Sequence, residues 1–432
     1  MKAEAETESP ARAADEVRPK ARRIRVGETA RQAGMLFSAH TLSTLLGLLV
    51  TIILGRWMEP EEMGRFQFCL SFIIISGLFF EAGIFSAGAR LLALVQGESE
   101  ERRAVGALLA LTAMLSGAFA LFLVAVAVPV ELIFEKEVRW LFFAAAAFAF
   151  FYPFQQLIEH TCQGLNRIRL LSAFQILSAG AYLLILLGLA LTNRLVAGSA
   201  LVAYFGGLAV ATAFVISRLK PDFSAVAKYV KLTLKEVRSY GLNLYVARVT
   251  GIITAKADHI AIAYYMPATA PLGIYSIAQK FTQPIVVLSR SVALSRFRAF
   301  SKLSKVPRAI SGWNALLLLI SGAGMVVLGP VAIELLFPKY VEAAPLLAPL
   351  AVMQIFVGLL QPYMYFLASH GRGAELRNTQ LIVSSASVAG LLFSVPRFGI
   401  LGAAWTGAAA MLLDYLLLLY YYSRFKPQLS KD

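Results

Sequence analysis

Among the titratable side chains that interrupt otherwise apolar stretches of the sequence, seven are of types and at positions that could do chemistry. They are two arginines, two lysines, two acids and one histidine: Arg248, Arg290, Lys256, Lys280, Glu81, Asp258 and His40. A titratable group in a long apolar stretch is expensive to bury, so it usually forms an ion pair or has a function in transport. Arginine and lysine suit the binding of a phosphate-like anion, whereas an acid or a histidine can pair with them or carry a proton.

The positions of these charges predict two layers. With about 1.5 Å of rise per residue, Lys256, Asp258 and Lys280 lie roughly 12–15 Å from the outer ends of their helices. Arg248 and Arg290 lie roughly 27 Å from the same ends. We expect the bases of both layers to line a cationic, substrate-binding cavity. Asp258 and Lys280 forming a permanent structural pair, and Arg290 extending to the inner interface, are alternatives that the pattern leaves open.

The elements that must position these charges follow from the composition. The chain has 432 residues, of which 58% are hydrophobic and 15% charged, and its mean hydropathy is +0.69. Soluble domains carry about 25% charged residues. The composition therefore excludes an ordinary soluble enzyme and a disordered protein, and it predicts an all-α integral membrane protein with many passes.

A span needs about 20 mostly apolar residues, and the sequence holds twelve candidates. Their approximate bounds are 33–55, 66–88, 104–129, 139–162, 170–192, 196–217, 241–265, 272–295, 310–336, 344–368, 378–395 and 399–422. With the N-terminus inside, 29 of the 40 Lys and Arg residues fall in cytoplasmic segments and 7 in outer loops. The positive-inside rule then predicts that both termini are cytoplasmic, and it explains the net charge of +15 without nucleic acid as a partner.

These spans divide the chain into five segments. They are a basic tail (1–31), an N-lobe (32–217), an amphipathic cytoplasmic linker (218–240), a C-lobe (241–422) and a second tail (423–432). The linker carries apolar residues at helical spacing with lysines between them, which is typical of a helix on a membrane surface. Cys69 and Cys162 are expected to be buried free thiols.

The two lobes show a weak internal repeat. Gly64 and Gly273 open the second and eighth spans at an offset of 209 residues, and Gly164 and Gly371 follow the fourth and tenth spans at an offset of 207. Six spans per repeat give both lobes the same orientation, so the repeat axis runs along the membrane normal. In transporters built this way the substrate site lies between the halves.

The repeat adds an acid to the inner layer. Glu81 lies about 22 Å below the start of the second span, and the offset of 209 makes it equivalent to Arg290. The same offset places His40 within one residue of the match to Arg248. We expect Glu81 to pair with Arg290 or Arg248 as an inner gate that opens when an anionic headgroup competes for the arginine.

Four segments carry a resemblance to a known family. They are Ile53–Phe66 (ILGRWMEPEEMGRF), Leu272–Ala278, Leu336–Pro345 and Gly399–Trp405. Their order and spacing resemble the polysaccharide (O-antigen type) flippases of the MOP, or MATE-like, superfamily. The resemblance implies twelve helices in two six-helix lobes and alternating access. It also implies transfer of an undecaprenyl-pyrophosphate-linked oligosaccharide across the bacterial plasma membrane, with a polysaccharide polymerase and chain-length machinery as partners.

No nucleotide-binding or hydrolase motif occurs in the sequence, so no cofactor, metal site or catalytic residue is predicted. The membrane potential can drive an anion outward, since one charge is worth about 2.3 kcal/mol per 100 mV. Proton or sodium antiport through Glu81 or Asp258 could add to this drive, and the sequence leaves that open. His259, near the outer surface, is expected to be an interfacial residue.

Two other functions compete with the flippase. A cation-coupled drug exporter of the same superfamily is the first, but four intramembrane bases disfavour a cationic substrate. A membrane-bound polymerase or glycosyltransferase is the second. Such an enzyme needs a sizeable extramembrane loop with catalytic groups, whereas the outer loops here are short.

Overall fold

The computed structural model describes residues 26–295, 300 and 303–425, and within them the ordered elements are helices. Most of the predicted basic tail and the last seven residues lie outside the described residues. The α-helices, numbered here in chain order, are α1 Val26–Trp57, α2 Pro60–Glu81, α3 Ile84–Leu94, α4 Glu98–Phe134, α5 Arg139–Ala149, α6 Tyr152–Gly164, α7 Ile168–Leu191, α8 Ala197–Leu219, α9 Val226–Glu236, α10 Leu242–Tyr265, α11 Ala270–Thr282, α12 Pro284–Ser295, α13 Arg308–Leu336, α14 Leu347–Ser369 and α15 Gly373–Arg424.

Three of the predicted spans are interrupted. The fourth divides into α5 and α6 at residues 150–151, and the second and eighth are broken as follows. Ala82 and Gly83 separate α2 from α3 with φ angles of 43° and 75°, in the left-handed region that no α-helix tolerates. Pro284 separates α11 from α12, because proline supplies no backbone N–H for the helical ladder. Both breaks place irregular backbone where it is covered by protein or lines a cavity, as a lipid environment requires.

The longest helix, α15, folds back on itself. Ser394 Oγ and Thr406 Oγ1 lie 2.7 Å apart, although twelve residues of continuous helix would separate them by about 18 Å. The reversal occurs at Gly399, which has a φ of 56° and a ψ of −140°. Glycine adopts this positive-φ conformation readily because it has no Cβ. Residues on either side of Gly399 therefore form two antiparallel helices.

Nine helices within the described ranges are long and apolar enough to cross a membrane. The difference from the predicted twelve lies in three places. Helix α10 carries three charges, α11 and α12 are each too short alone, and α15 counts once although it reverses. The multi-pass helical class is confirmed, and the count of twelve passes stays a prediction.

The two lobes meet through a reciprocal backbone contact at one end of the bundle. A Cβ on Gly64 would lie 1.9 Å from the carbonyl oxygen of Thr269, and a Cβ on Gly273 would lie 2.1 Å from that of Pro60. The offset of 209 relates Gly64 to Gly273 and Pro60 to position 269, so each partner is the repeat match of the other. This is the contact expected around an axis between repeats.

Side chains reinforce the same end, which the charge distribution predicts to face outward. Lys339 pairs with Glu59 at 2.7 Å, and the Tyr340 hydroxyl donates to the Met58 carbonyl at 3.0 Å. Lys136 donates to the carbonyls of Met266 and Pro267, and its burial lowers the pKa of its ammonium. The lobes are therefore packed against each other at this end, which is called the outer end below on the basis of that prediction.

The linker predicted between the lobes contains helix α9, which packs on the start of α4. The Tyr229 hydroxyl donates to Glu100, and Arg103 contacts both Glu100 and Asp222. Burial raises the pKa of Tyr229 to about 12, with the Glu100 hydrogen bond acting in the same direction. Hydrogen bonds from Ser224, followed by Arg103, hold the pKa of Asp222 below its usual range.

The reciprocal glycine contact generates a stability prediction. Gly64→Ala places a methyl group against the Thr269 carbonyl, and such overpacking costs about 1–3 kcal/mol. We expect a lower melting temperature in thermal unfolding of the purified protein in detergent. Gly188→Ala is the control, because a Cβ there meets nothing within 4 Å and carries the same gain in helix propensity. Equal melting temperatures for the two variants would contradict the contact.

Candidate functional site: an interlobe ion cluster beside a central cavity

Arg248 of α10 reaches across the lobe interface and is held by three acceptors of the N-lobe. Its Nη1 donates to Glu81 Oε1 at 2.7 Å and to His160 Nε2 at 2.9 Å, and its Nη2 donates to Gln156 Oε1. Glu81 is buried, with 3% of its side chain exposed, whereas Arg248 retains 24%. A buried carboxylate facing a multiply bonded guanidinium is a strong, directional interaction.

Broken backbone brings these groups together. Glu81 is the last residue of α2, immediately before the turn at Ala82 and Gly83. That turn packs so closely on Gly241 that a Cβ on Gly83 would lie 2.5 Å from the Gly241 carbonyl. Gly241 ends a π-helical turn, and α10 begins at the next residue. The close approach lets Arg248, two helical turns further on, reach Glu81.

A second polar chain crosses the interface nearer the outer end. Ser71 Oγ of α2 lies 2.7 Å from His259 Nδ1, and His259 Nε2 lies 3.1 Å from Gln279 Oε1. Gln279 Nε2 donates to Asp258 Oδ2 at 2.9 Å, as does the Tyr275 hydroxyl. Because Gln279 Oε1 only accepts, His259 carries its proton on Nε2 and accepts from Ser71. The chain fixes Asp258 in place as an acceptor.

A cavity of about 450 Å³ is lined mostly by N-lobe residues, with Lys280, Gln283 and Pro284 contributed by the C-lobe. Its volume falls within the range of known ligand pockets. Helices α1, α6, α7, α8, α11 and α12 contribute to the wall, together with the break before Pro284. The charged and titratable wall residues include His40, Glu159 and Lys280.

Lys280 and Lys256 are cations without ion pairs among the residues that the structure describes. Lys280 lines the cavity, and its Nζ lies 6.0 Å from the centre of the Phe66 ring. Lys256 is half-buried on α10, close enough for its charge to act on Lys280 and Asp258. Arg290 is exposed on α12, close enough to His40 of α1 for its charge to act there.

The structure realises some of the predicted pairings and not others. Glu81 meets Arg248, one of its two predicted partners, and no described acid lies within ion-pair distance of the other, Arg290. The repeat equates Glu81 with Arg290 in sequence, but equivalent depth does not bring two helices into contact. Of the open alternatives, a permanent Asp258–Lys280 pair is not formed. The Asp258 carboxylate instead accepts hydrogen bonds from Tyr275 and Gln279.

His259 corrects another expectation. The sequence predicts it at the membrane interface, whereas in the structure it is 2% exposed and lies inside the lobe contact. Position along a helix gives the depth of a residue, but it does not say which way the side chain turns. The two cysteines are buried and free as expected.

Helix α6 carries a polar face that the sequence-based interpretation did not assign to the site, since Glu159 and His160 were considered there only as metal ligands and set aside. Gln155, Gln156, Glu159 and His160 recur at spacings of one and four residues, which places them on one face of a helix. Four such residues in an apolar segment were the available signal. In the structure, Gln155 and Glu159 line the cavity. Gln156 and His160 accept hydrogen bonds from Arg248. No three His, Cys, Asp or Glu side chains within the described ranges converge as metal ligands.

Solved structures of membrane transporters share this fold. The lipid II flippase MurJ in an inward closed conformation superposes with a TM-score of 0.65 at 16% identity, over 90% of this chain and 88% of that one. An inward-facing multidrug resistance MATE family transporter of the MOP superfamily gives 0.68 at 15% identity, over 90% and 98%. A mutant form of the MATE transporter VcmN of Vibrio cholerae gives 0.61 at 12% identity, over 91% and 96%. At such identities the likeness establishes the fold.

Comparison of the sequence with family models identifies the family. No curated protein sequence matches the chain. The profile described as "Polysaccharide biosynthesis protein" matches residues 29–304, more than half of the chain and across both lobes. Together with the MOP-type fold, this match confirms the resemblance inferred from the sequence segments. The chain belongs to the polysaccharide biosynthesis protein family.

Proposed function

We propose that the protein flips an undecaprenyl-pyrophosphate-linked oligosaccharide from the inner to the outer leaflet of a bacterial plasma membrane. The observation that carries the proposal is Lys280, a half-buried cation without an ion pair in the described chain, at the wall of a central cavity. An unpaired cation in a membrane cavity suits an anionic group of the substrate. Lys256 and Arg290 lie close enough to the wall residues Lys280 and His40 for their charges to add to the positive field there.

The Arg248–Glu81 pair is the gate in this proposal. The outer ends of the lobes are packed together, and the pair ties their inner halves. An anionic headgroup entering from the cytoplasm competes with Glu81 for cationic partners. Loss of the pair opens the inner side to the headgroup. Once the headgroup is bound, the two lobes rock, so that the inner side closes again and the outer side opens. The broken backbone at Ala82 and Gly83 supplies the hinge.

Coupling follows from the charge of the substrate. A pyrophosphate with about two negative charges gains roughly 4–5 kcal/mol per 100 mV when it moves outward from a negative interior. Proton or sodium exchange at Glu81 adds to this drive if the carboxylate is released from Arg248 during the cycle. Asp258 contributes little to such coupling, because its carboxylate is committed to Tyr275 and Gln279.

Deletion of the gene tests the proposal directly. We expect complete lipid-linked oligosaccharide to accumulate in a form that an enzyme confined to the periplasm cannot modify. The wild-type gene restores surface polysaccharide, and Lys280→Gln restores it at a rate at least about 10-fold lower, the cost of one charge-assisted contact. Lys231→Gln, on the exposed face of the linker helix, is the matched control. Normal surface polysaccharide in the deletion strain would exclude the function.

The gate makes a separate prediction. Glu81→Gln removes the only carboxylate paired with Arg248 in the described chain, so the inner contact weakens. In this background Thr44→Cys, at the cavity wall, should react several-fold faster with a membrane-impermeant thiol reagent added on the cytoplasmic side. Cys69 and Cys162 are buried and set a low background.

Glu375→Gln is the control for the gate, since it breaks a partly exposed pair with Arg372 at the start of α15 and leaves the lobe interface intact. Equal reaction rates for Glu81→Gln and Glu375→Gln would show that the Arg248–Glu81 pair does not close the inner side.

A further inference from the structure

The N-lobe wall of the cavity carries polar atoms without partners. Ser43 Oγ, Gln155 Oε1, Gln175 Oε1 and Tyr182 OH are buried and make no hydrogen bond within the described chain. A buried polar atom left unpaired costs about 1–3 kcal/mol, so proteins rarely keep one without a use. The four atoms belong to residues of α1, α6 and α7 that line one cavity. The atoms are covered in this conformation, so a molecule bound in the cavity becomes their partner when these side chains rotate toward it.

Aromatic rings stand beside these atoms. Tyr182 and Tyr204 both line the cavity, and their rings meet edge to face with 5.5 Å between centroids. A ring face offers a flat apolar surface, and the hydroxyl offers a donor and an acceptor. Amides add donors and acceptors in fixed directions. This combination fits a ring-shaped ligand with hydroxyls on its edge and C–H groups on its faces.

The charge on this wall selects against an anion. Glu159 faces the cavity and accepts a hydrogen bond from Gln155 Nε2 at 3.2 Å. A carboxylate repels phosphate and accepts hydrogen bonds from hydroxyl groups. Lys280, by contrast, enters the cavity from α11 of the C-lobe. The cavity is therefore polarised, with its lysine on the C-lobe side and neutral or acidic acceptors on the N-lobe side.

We propose that Gln155, Glu159, Gln175, Tyr182 and Tyr204 form a sugar-binding subsite. It takes the sugar ring that adjoins the pyrophosphate, while Lys280 takes the pyrophosphate itself. The inference rests on the proposed function and adds to it the part of the cavity wall that binds the sugar. It assigns recognition of the carbohydrate to the N-lobe and recognition of the anion to the C-lobe.

Equilibrium binding to the purified full-length protein tests the subsite with two probes. One is undecaprenyl pyrophosphate without sugar, and the other is the undecaprenyl-pyrophosphate-linked oligosaccharide extracted from the bacterium. We expect the wild type to bind the glycosylated probe more tightly. Gln175→Leu should weaken binding of the glycosylated probe about 5- to 10-fold, the value of one hydrogen bond, and leave the bare probe unchanged. Lys280→Gln should weaken binding of both probes.

Two further variants keep the test sharp. Tyr182→Phe removes only the unpaired hydroxyl and keeps the ring, so it repeats the Gln175→Leu result without a change of volume in the core. Gln361→Leu is the matched control, because its Oε1 is also buried and unpaired but lies on α14, away from the cavity wall. We expect no change for either probe with this control.

The outcomes separate this inference from the proposed function. Equal weakening of both probes by Gln175→Leu and Tyr182→Phe would overturn the sugar subsite, as would equal wild-type affinity for the two probes. In both cases the flippase function would stand, since the bare lipid pyrophosphate still binds. If the wild type binds neither probe, the proposed function fails and the subsite fails with it.

Discussion

An ionised side chain inside a lipid bilayer is stable only beside a partner or in a wet cavity, and the lobe interface is built on this constraint. Arg248 leaves the C-lobe and finds three acceptors on the N-lobe, at Glu81, Gln156 and His160. Separation of the inner halves therefore leaves a charge on each side without its partner. Such a contact resists opening until another anion or water takes its place, which is the behaviour that a gate requires.

The outer contact rests on a different principle. Gly64 and Gly273 bring backbone against backbone, with no charge to neutralise and no space for a Cβ. In a membrane the hydrophobic effect does not drive helices together, because lipid tails are as apolar as the helix surfaces. Small residues instead let two helices approach closely enough for their backbones to pack. One end of the interface is thus a packing contact and the other an ionic contact. The two contacts respond to different influences: an anion that competes for Arg248 would weaken the ionic contact, and it would leave the glycine contact unchanged.

Much of this description could be predicted from the sequence, because hydropathy and charge act locally. The apolar stretches identify the membrane class, and the intramembrane positions of Glu81, Arg248 and Lys280 follow from counting residues. The equivalence of Gly64 and Gly273 also came from the sequence, and the structure turns it into a reciprocal contact. Each inference about a charge needs only depth along a helix, which a rise of about 1.5 Å per residue supplies.

Only the tertiary structure decided which charges meet. Glu81 reaches Arg248 and not Arg290, because the chain breaks at Ala82 and Gly83 and packs on Gly241. Helix α6 presents its polar face to the cavity and to Arg248. The rotation of a helix and the choice of its neighbours depend on packing between distant segments. The sequence by itself therefore determined the membrane setting and the depth of each charge, whereas the folded bundle determined its partner.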